Sequence, residues 1–252
     1  VQNRTKLIAK SQTVEFSSIV GIIKRTQMGV LGGIYAYSGA NTMYRKDALI
    51  DVGMFRQDRA TEDISIAWDH QLDGWASLFA PRIMFFMEVP ENLKMLYRQR
   101  KRWAKGGTEV WLTNFKKVFL HPFQNIGRTV MFIDQTFSII WSFFFWISSI
   151  LFAGALIRFL IEGNYERIYH MITLSFLFVC FEMISGTFQL VASLIADDRA
   201  RKLKYILFAP LYMLFYWMLN ALTIVTTFIP AVKTILGFGS GTWKSPERQK
   251  RD

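Results

Sequence analysis

Three long stretches with almost no charge fill the second half of this chain. Residues 135–157 and 205–232 contain no Asp, Glu, Lys or Arg, and residues 168–196 contain one such residue, Glu182. Each stretch is longer than the roughly 20 residues that an α-helix needs to cross a bilayer. We therefore predict about three membrane-spanning helices within residues 129–236, with buried helices of a soluble protein as the alternative.

The charge of the chain limits the kinds of molecule that it is expected to bind, and its cysteine content excludes internal disulfides. The chain of 252 residues is 52% hydrophobic and carries a formal net charge of +11. Such a balance suits nucleic acid, anionic lipid or an anionic substrate. Because an apolar half is attached, we expect a lipid bilayer and a nucleotide diphosphate, and no nucleic acid. The single cysteine, Cys180, excludes a disulfide within the chain. Glu182 lies inside a predicted span, where an ionisable group marks a functional site or pairs with another helix.

The basic segments predict a topology that three simple crossings do not satisfy. Residues 197–204 and the tail at residues 237–252 are rich in Lys and Arg, which favours the cytoplasmic side for both. Residues 1–128 are expected on the same side, and three crossings do not join all three segments. We therefore expect that the third stretch, with Pro210 and Pro230, is broken or re-entrant, or that the charge rule fails for the tail. In both cases the chain is a multipass protein of the plasma or inner membrane.

Residues 1–128 are predicted to form a mixed α/β domain that faces water. Apolar residues recur at helical spacing in residues 14–25, and further helices alternate with strands. The predicted helices cover residues 46–52, 62–72 and 90–105, and the predicted strands cover residues 34–37, 76–79 and 83–89. Gly53, Gly74 and the pair Gly106-Gly107 are expected to end the helices before them. The strands are too few to complete a three-layer domain, so we expect the chain to hold only part of one.

The last predicted helix of this domain carries side chains suited to a sugar nucleotide. Gln99, Arg102 and Trp103 stand at i, i+3 and i+4 and therefore share one face of the helix. Arg102 offers a rigid fork for phosphate oxygens, Gln99 donates and accepts hydrogen bonds, and Trp103 offers a flat face for a pyranose ring. The alternative is a basic amphipathic helix on anionic headgroups. Both interpretations hold if Arg100 and Lys101 face lipid.

A second short motif, Thr61-Glu62-Asp63, opens the predicted helix over residues 62–72. Acidic residues are common in the first turn of a helix because they interact favourably with the helix dipole, and Thr61 is a suitable N-cap. The motif also has a catalytic interpretation, since an acceptor hydroxyl needs a base close by when it attacks an anomeric carbon. A carboxylate at a helix N-terminus is ionised at neutral pH and held rigidly, and Asp63 suits that role.

The two motifs together resemble those of the processive, membrane-integrated glycosyltransferases of family 2. That group includes cellulose, chitin, hyaluronan and poly-N-acetylglucosamine synthases. The T/E-E-D motif of the family matches residues 61–63, and its Q-x-x-R-W motif matches residues 99–103. Residues 14–27 and 90–110, with the Gly-Gly-Thr-Glu-Val that follows the tryptophan, are most similar to the poly-β-1,6-N-acetylglucosamine synthases.

The resemblance implies an inverting enzyme that polymerises N-acetylglucosamine from UDP-N-acetylglucosamine onto a growing glycan and passes the polymer across the membrane. Its fold is the C-terminal part of a GT-A-type three-layer α/β domain, followed by an interface helix and the membrane-spanning helices. The implied catalytic carboxylates are Asp63, as general base, and Glu62. The residues implied for substrate binding are Ser38, Gly39, Gln99, Arg102, Trp103 and Trp243. A small accessory membrane subunit is a further candidate partner.

The donor-binding motifs of that family do not occur in this sequence. The family binds UDP and a divalent metal through two aspartate motifs that precede the acceptor part, and neither is present. We therefore expect Mg²⁺ (or Mn²⁺) to be bound mainly by residues outside this chain, and no metal ligand within it. We also expect a natural N-terminal portion before Val1, and no turnover by this chain alone.

Three other functions remain open. A hyaluronan-, chitin- or cellulose-type synthase differs in its donor sugar. A non-catalytic membrane scaffold derived from such an enzyme keeps the motifs without turnover. A small multipass transporter explains the apolar stretches and Glu182, but it does not explain the water-facing residues 1–128.

Overall fold

A computed structural model describes residues 1–83, 85–197 and 201–239 of the chain. This described part contains nine α-helices, joined by loops and by short helical turns of tighter or wider winding. The α-helices are α1 (Leu7–Ser18), α2 (Lys24–Leu31), α3 (Lys46–Asp51), α4 (Glu62–Leu72), α5 (Leu93–Leu120), α6 (Ile126–Ile161), α7 (Tyr165–Ala196), α8 (Ala209–Leu211) and α9 (Trp217–Ile235). A π-helical turn (Ile19–Ile23) joins α1 to α2, while a 3₁₀ segment (Leu203–Phe208) and a second π turn (Tyr212–Tyr216) flank α8.

The predicted helices at residues 46–52 and 62–72 are confirmed by α3 and α4. Gly53 follows α3 with a φ of +77°, and Gly74 follows the end of α4 with a φ of +92°. Glycine enters this left-handed region of backbone conformation without the steric cost that a Cβ brings. Both helices therefore end where the glycines predict.

The helix that carries the Q-x-x-R-W motif is longer than predicted. α5 begins after Asn92, whose side chain caps it, and continues through Gly106 and Gly107 to Leu120. The prediction that the glycine pair ends this helix is wrong. Both glycines are buried inside it, and the side chain of Thr61 packs against Gly106 so closely that a Cβ there would overlap it. The glycine thus serves a close packing contact instead of a helix end.

None of the three predicted strands forms in the part of the chain that the structure describes. Side-chain amides make the hydrogen bonds that a neighbouring strand would supply. Gln71 accepts from the Ile34 N–H at 3.2 Å and donates to the Ile34 carbonyl at 3.0 Å. Asn3 pairs in the same way with both backbone groups of Val89, at 2.9 and 2.7 Å. The described fold is therefore mostly helical, and the expected three-layer α/β arrangement is not seen in it.

Three helical segments are long and apolar enough to cross a membrane, in agreement with the prediction. They are Ile126–Ile161, Tyr165–Ala196 and Leu203–Ile235. The rest of the described chain buries 0% and 6% of the most apolar part of the first two, and 28% of that of the third. Apolar surface of this extent needs lipid or a partner to cover it.

The third apolar segment is a continuous run of helical turns that change in winding. It begins as the 3₁₀ segment, passes through α8 with Pro210 in its first turn, and continues through the second π turn into α9. Pro230 lies inside α9, which does not stop there. No loop interrupts the described residues of this segment at either proline. α9 packs along α5, so this segment lies against the helix of the Q-x-x-R-W motif.

Arg100 lies in the protein interior, and the prediction that it faces lipid is wrong. Its side chain is 5% exposed, and its guanidinium binds both carboxylate oxygens of Glu15 on α1. The rings of Trp103 and Tyr216 have their centroids 4.4 and 5.6 Å from the guanidinium carbon. Lys101, in contrast, is exposed. Because an unpaired buried charge is strongly destabilising, the Glu15–Arg100 ion pair fixes α1 against α5.

Candidate functional site

Asp63 lies in the first turn of α4, where backbone N–H groups hold its carboxylate. Its Oδ2 accepts a hydrogen bond from the Gly39 N–H at 3.2 Å, and its Oδ1 accepts one from the Ile64 N–H at 3.0 Å. Thr61 is the N-cap residue, as predicted, but its side chain makes no capping hydrogen bond. The carboxylate is therefore held by the turn that contains Gly39 and by its own helix.

The surroundings of Asp63 raise the pKa of its carboxyl above the ordinary value of 3.8. Burial is the main cause, because it disfavours the charged form, and the negative charge of Glu62 adds to the effect. The Gly39 N–H and the charge of Arg102 oppose it. A raised pKa brings the carboxylate closer to the pH range in which a general base is most effective.

Arg102 reaches the two carboxylates from α5. Its Nη1 lies 3.9 Å from Glu62 Oε2 and donates a hydrogen bond to the Ala60 carbonyl at 3.4 Å. The Arg102 side chain is 22% exposed, and that of Glu62 is 48% exposed. A planar cation in this position is suited to bind the oxygens of a phosphate group.

A buried glutamate on α5 fixes the loop that precedes the T-E-D motif. Glu109 is 0% exposed, its Oε2 accepts from the Ala60 N–H at 2.8 Å, and Lys105 Nζ lies 3.4 Å from its Oε1. Ala60 is therefore bonded to α5 through both of its backbone groups, to Glu109 by its N–H and to Arg102 by its carbonyl. In the sequence, Glu109 is recognisable only as part of the Gly-Gly-Thr-Glu-Val segment. Its contacts in the structure show that it holds the start of α4 against α5.

The close packing of α4 on α5 predicts a difference between two adjacent glycines. Gly106→Ala is expected to destabilise the protein by about 1–3 kcal/mol, because the new Cβ would lie 2.7 Å from Thr61 Cβ. Gly107→Ala is the matched control, since its nearest atoms, on Gln135 and Tyr35, lie 3.8 Å away. Alanine also favours a helix interior over glycine by up to about 1 kcal/mol. Thermal unfolding in detergent measures the difference, and equal stability of the two variants would contradict the packing.

Gln99 and Trp103 share α5 with Arg102, but no hydrogen bond within the described chain joins either to Glu62 or Asp63. The side-chain oxygen of Gln99 is buried and has no hydrogen-bond partner in that part of the chain. Trp103 is half-buried, with the guanidinium of Arg100 over its ring. Buried polar atoms in proteins usually have a partner, so the Gln99 oxygen is an unsatisfied acceptor in the described part of the chain.

Ser38 and Gly39 form a tight turn, which binds the carboxylate oxygen of Asp63 that the Ile64 N–H does not. The Ser38 carbonyl accepts from the Thr42 hydroxyl at 2.8 Å, and the Ser38 N–H donates back to Thr42 Oγ1 at 3.2 Å. Lys24, the first residue of α2, donates to Ser38 Oγ at 2.7 Å. Sequence reasoning missed Lys24 because no local motif marks it and its contact with this turn depends on the fold.

Five of the implied site residues are thus brought together, and no hydrogen bond in the described part of the chain joins Gln99 or Trp103 to the two carboxylates. The group that meets consists of Ser38, Gly39, Glu62, Asp63 and Arg102. Trp243 lies outside the described residues. Within residues 1–83, 85–197 and 201–239, no three His, Cys, Asp or Glu side chains are placed to hold a metal ion. The described residues therefore do not fit the divalent-cation site that the family resemblance implies.

Comparison with known proteins identifies the family of the chain. The family model for glycosyl transferase family group 2 matches residues 1–230. The chain is 32% identical over 254 residues to poly-beta-1,6-N-acetyl-D-glucosamine synthase of Staphylococcus epidermidis, covering 98% of this chain and 59% of the relative. It is 33% identical over 250 residues to the synthase of the same name from Staphylococcus aureus (strain COL), with the same coverage. The chain spans about three-fifths of the length of these curated relatives, and no solved structure matches it. Because the family model covers most of its length, the chain belongs to glycosyl transferase family group 2.

Proposed function

We propose that this chain forms the acceptor side and membrane part of a processive, inverting glycosyltransferase. The enzyme would polymerise N-acetylglucosamine from UDP-N-acetylglucosamine into a β-1,6-linked exopolysaccharide. The observation that carries the proposal is the contact between the two motifs, in which Arg102 lies 3.9 Å from Glu62, next to Asp63. The relatives at 32% and 33% identity are named for the same polymer, which supports the choice of sugar.

In this proposal each member of the group has one task. Asp63 accepts the proton of the acceptor hydroxyl as the hydroxyl oxygen bonds to the anomeric carbon of the donor. The bond from that carbon to the diphosphate breaks with inversion, and UDP leaves with the electron pair. Arg102 stabilises the negative charge that develops on the diphosphate. Glu62 raises the pKa of Asp63 and so keeps it a stronger base.

The remaining predicted site residues are assigned to the acceptor glycan. Trp103 stacks against a sugar ring with the face that Arg100 does not cover, and the buried oxygen of Gln99 accepts from a sugar hydroxyl. The turn at Ser38 and Gly39 borders the acceptor, and Trp243 is retained as a substrate contact in the tail.

The membrane arrangement is part of the same proposal. Residues 1–128 belong to a GT-A-type domain on the cytoplasmic side of the plasma or inner membrane, and the apolar helices lead the polymer outward. The basic loop at residues 197–204, which two apolar segments separate from residues 1–128, supports the cytoplasmic side. The donor-binding residues and those for Mg²⁺ (or Mn²⁺) lie outside this chain, and a small accessory membrane subunit is a candidate partner.

The donor sugar decides between the proposal and its alternatives. The complete reading frame that encodes this chain would be expressed and its membranes supplied with MgCl₂ and labelled UDP-N-acetylglucosamine, UDP-glucose or UDP-glucuronic acid. We expect polymer from UDP-N-acetylglucosamine. Polymer from another donor alone would keep the transfer chemistry and overturn the substrate. No transfer from any donor would favour the non-catalytic scaffold.

Glu62→Gln is expected to move the pH dependence of transfer to lower pH. The charge of Glu62 raises the pKa of Asp63, so its removal lowers that pKa, and the base then stays ionised in more acidic solution. The acid limb of the rate profile, measured with UDP-N-acetylglucosamine between pH 4 and 8, should shift downward by about one pH unit or less. A limb that stays in place would contradict the coupling of these two carboxylates.

A further inference from the structure

A lysine from the N-terminal helices enters the candidate site from outside both motifs. Lys24 is the first residue of α2, and its Nζ donates to Ser38 Oγ at 2.7 Å. The next residue of the same turn, Gly39, donates its N–H to Asp63 Oδ2 at 3.2 Å. A chain of two contacts therefore leads from the Lys24 ammonium through the turn to the Asp63 carboxylate.

The π turn before Lys24 explains why this side chain reaches the site. Ser17 of α1 and Gly21 of the π turn both face α7, with Ser17 Oγ 2.7 Å from Asp197 Oδ2 and Gly21 tight against the backbone of Ser193. In an uninterrupted α-helix Lys24 would lie two turns after Ser17 on the same face. The π turn inserts an extra residue and rotates the following helix by roughly 100°. This rotation takes Lys24 away from α7 and towards the Ser38-Gly39 turn.

The charges around Lys24 favour an attraction between its ammonium group and the Asp63 carboxylate. Burial lowers the pKa of Lys24, and the negative charge of Asp63 opposes that effect. The other charged and titratable groups around Asp63 are Glu62 on α4, Arg102 on α5, and Tyr44, whose pKa is raised to about 12 and which is therefore neutral. The negative charge of Glu62 disfavours the ionised form of Asp63, so a second cation beside Arg102 stabilises that form. Arg102 alone is not enough, because it is also expected to bind the diphosphate.

We propose that Lys24 is a positioning residue of the transfer reaction, which holds the Ser38-Gly39 turn, and with it the Gly39 N–H, against Asp63. The attraction between Lys24 and Asp63 and the Gly39 hydrogen bond both favour the ionised form of the base. The inference rests on the proposed function, since it assumes that Asp63 is the base. It also gives the π turn a role, which is to aim Lys24 at the turn while α1 stays packed on α7.

The test compares Lys24→Met, Lys24→Arg and the control Arg25→Met in the complete protein. Arg25 is the next residue of α2 and is exposed. Loss of the cation makes the Asp63 carboxylate less favourable and raises its pKa. Lys24→Met should therefore lower transfer several-fold at neutral pH and move the acid limb of the rate profile upward by less than about one pH unit. Lys24→Arg should restore most of the transfer rate and most of the original position of the acid limb. Arg25→Met should match the unmodified protein in both.

A second readout separates this inference from the proposed function. Carbodiimide reacts with protonated carboxyl groups, and mass spectrometry after digestion reports the pH at which Asp63 is half-labelled, without any turnover. Lys24→Met should raise that pH relative to Arg25→Met. An unchanged labelling pH would overturn the role of Lys24 even if transfer is lost. If the Lys24→Met variant shifts the labelling pH but the unmodified protein transfers no sugar, the Lys24 contact is supported and the proposed function is overturned.

Discussion

Asp63→Asn is expected to reduce sugar transfer by about 10²–10⁴-fold, the contribution typical of a positioned general base. Asparagine keeps the size of the side chain and one oxygen that accepts from the Gly39 or Ile64 N–H, but it does not take up the acceptor proton. The loss should appear in kcat, measured as initial rate at saturating UDP-N-acetylglucosamine. Membrane insertion should not change, because Asp63 lies outside the apolar helices.

The folding stability of this variant supplies an internal check. The pKa of Asp63 is raised in the folded protein, so folding favours the protonated form, and the ionised form is unfavourable at neutral pH. A neutral side chain removes that penalty, which offsets a weakened hydrogen bond of about 1 kcal/mol. The thermal unfolding temperature should therefore not fall appreciably. Asp47→Asn is the matched control, since Asp47 is an exposed acidic residue in the first turn of α3. Equal activity of the two variants would show that Asp63 is not the base.

Arg102→Lys is expected to lower kcat by about 10²–10³-fold, although the charge is kept. Lysine lacks the planar fork that binds two phosphate oxygens at once, and the hydrogen bond to the Ala60 carbonyl is altered as well. Because the charge on the diphosphate develops as the bond breaks, the loss should fall on kcat more than on KM. Initial rates over a range of UDP-N-acetylglucosamine concentrations measure both.

The matched control for this variant is Arg98→Lys, an exposed position one helical turn earlier on α5. If α5 served only to lie on anionic headgroups, both arginines would affect membrane association, and neither would affect kcat selectively. A similar small effect of both substitutions on kcat would therefore contradict the assignment of Arg102 and favour the amphipathic-helix alternative.

Local rules predicted the short helices and the apolar helices well, because their limits depend on nearby residues. The ends of α3 and α4 follow from Gly53 and Gly74, whose positive φ values need glycine. The three apolar segments follow from length and lack of charge alone. The family resemblance assigned both motifs to one substrate site, whereas the 3.9 Å approach of Arg102 to Glu62 depends on the fold.

The failures occurred where tertiary contacts override a local rule. Glycine is typical of a helix end, yet Gly106 lies inside α5 because the side chain of Thr61 occupies the space that a Cβ would fill. Arginine in a basic helix is typical of a lipid-facing position, yet Glu15, 85 positions earlier, binds Arg100 in the interior. The residues around Ile34 are typical of a strand, but the side chain of Gln71 makes the hydrogen bonds of the Ile34 backbone. None of these partners is close in sequence, so no local pattern identifies them.

The most direct test of the central claim is digestion of the polymer made by the complete protein from labelled UDP-N-acetylglucosamine. Membranes with the unmodified protein and with the Asp63→Asn variant would be assayed side by side, and the product treated with a β-1,6-specific hexosaminidase. We expect a polymer that the enzyme degrades from the unmodified protein and almost none from the variant. A polymer that resists the enzyme would contradict the proposed linkage, and equal polymer from the variant would contradict the catalytic site.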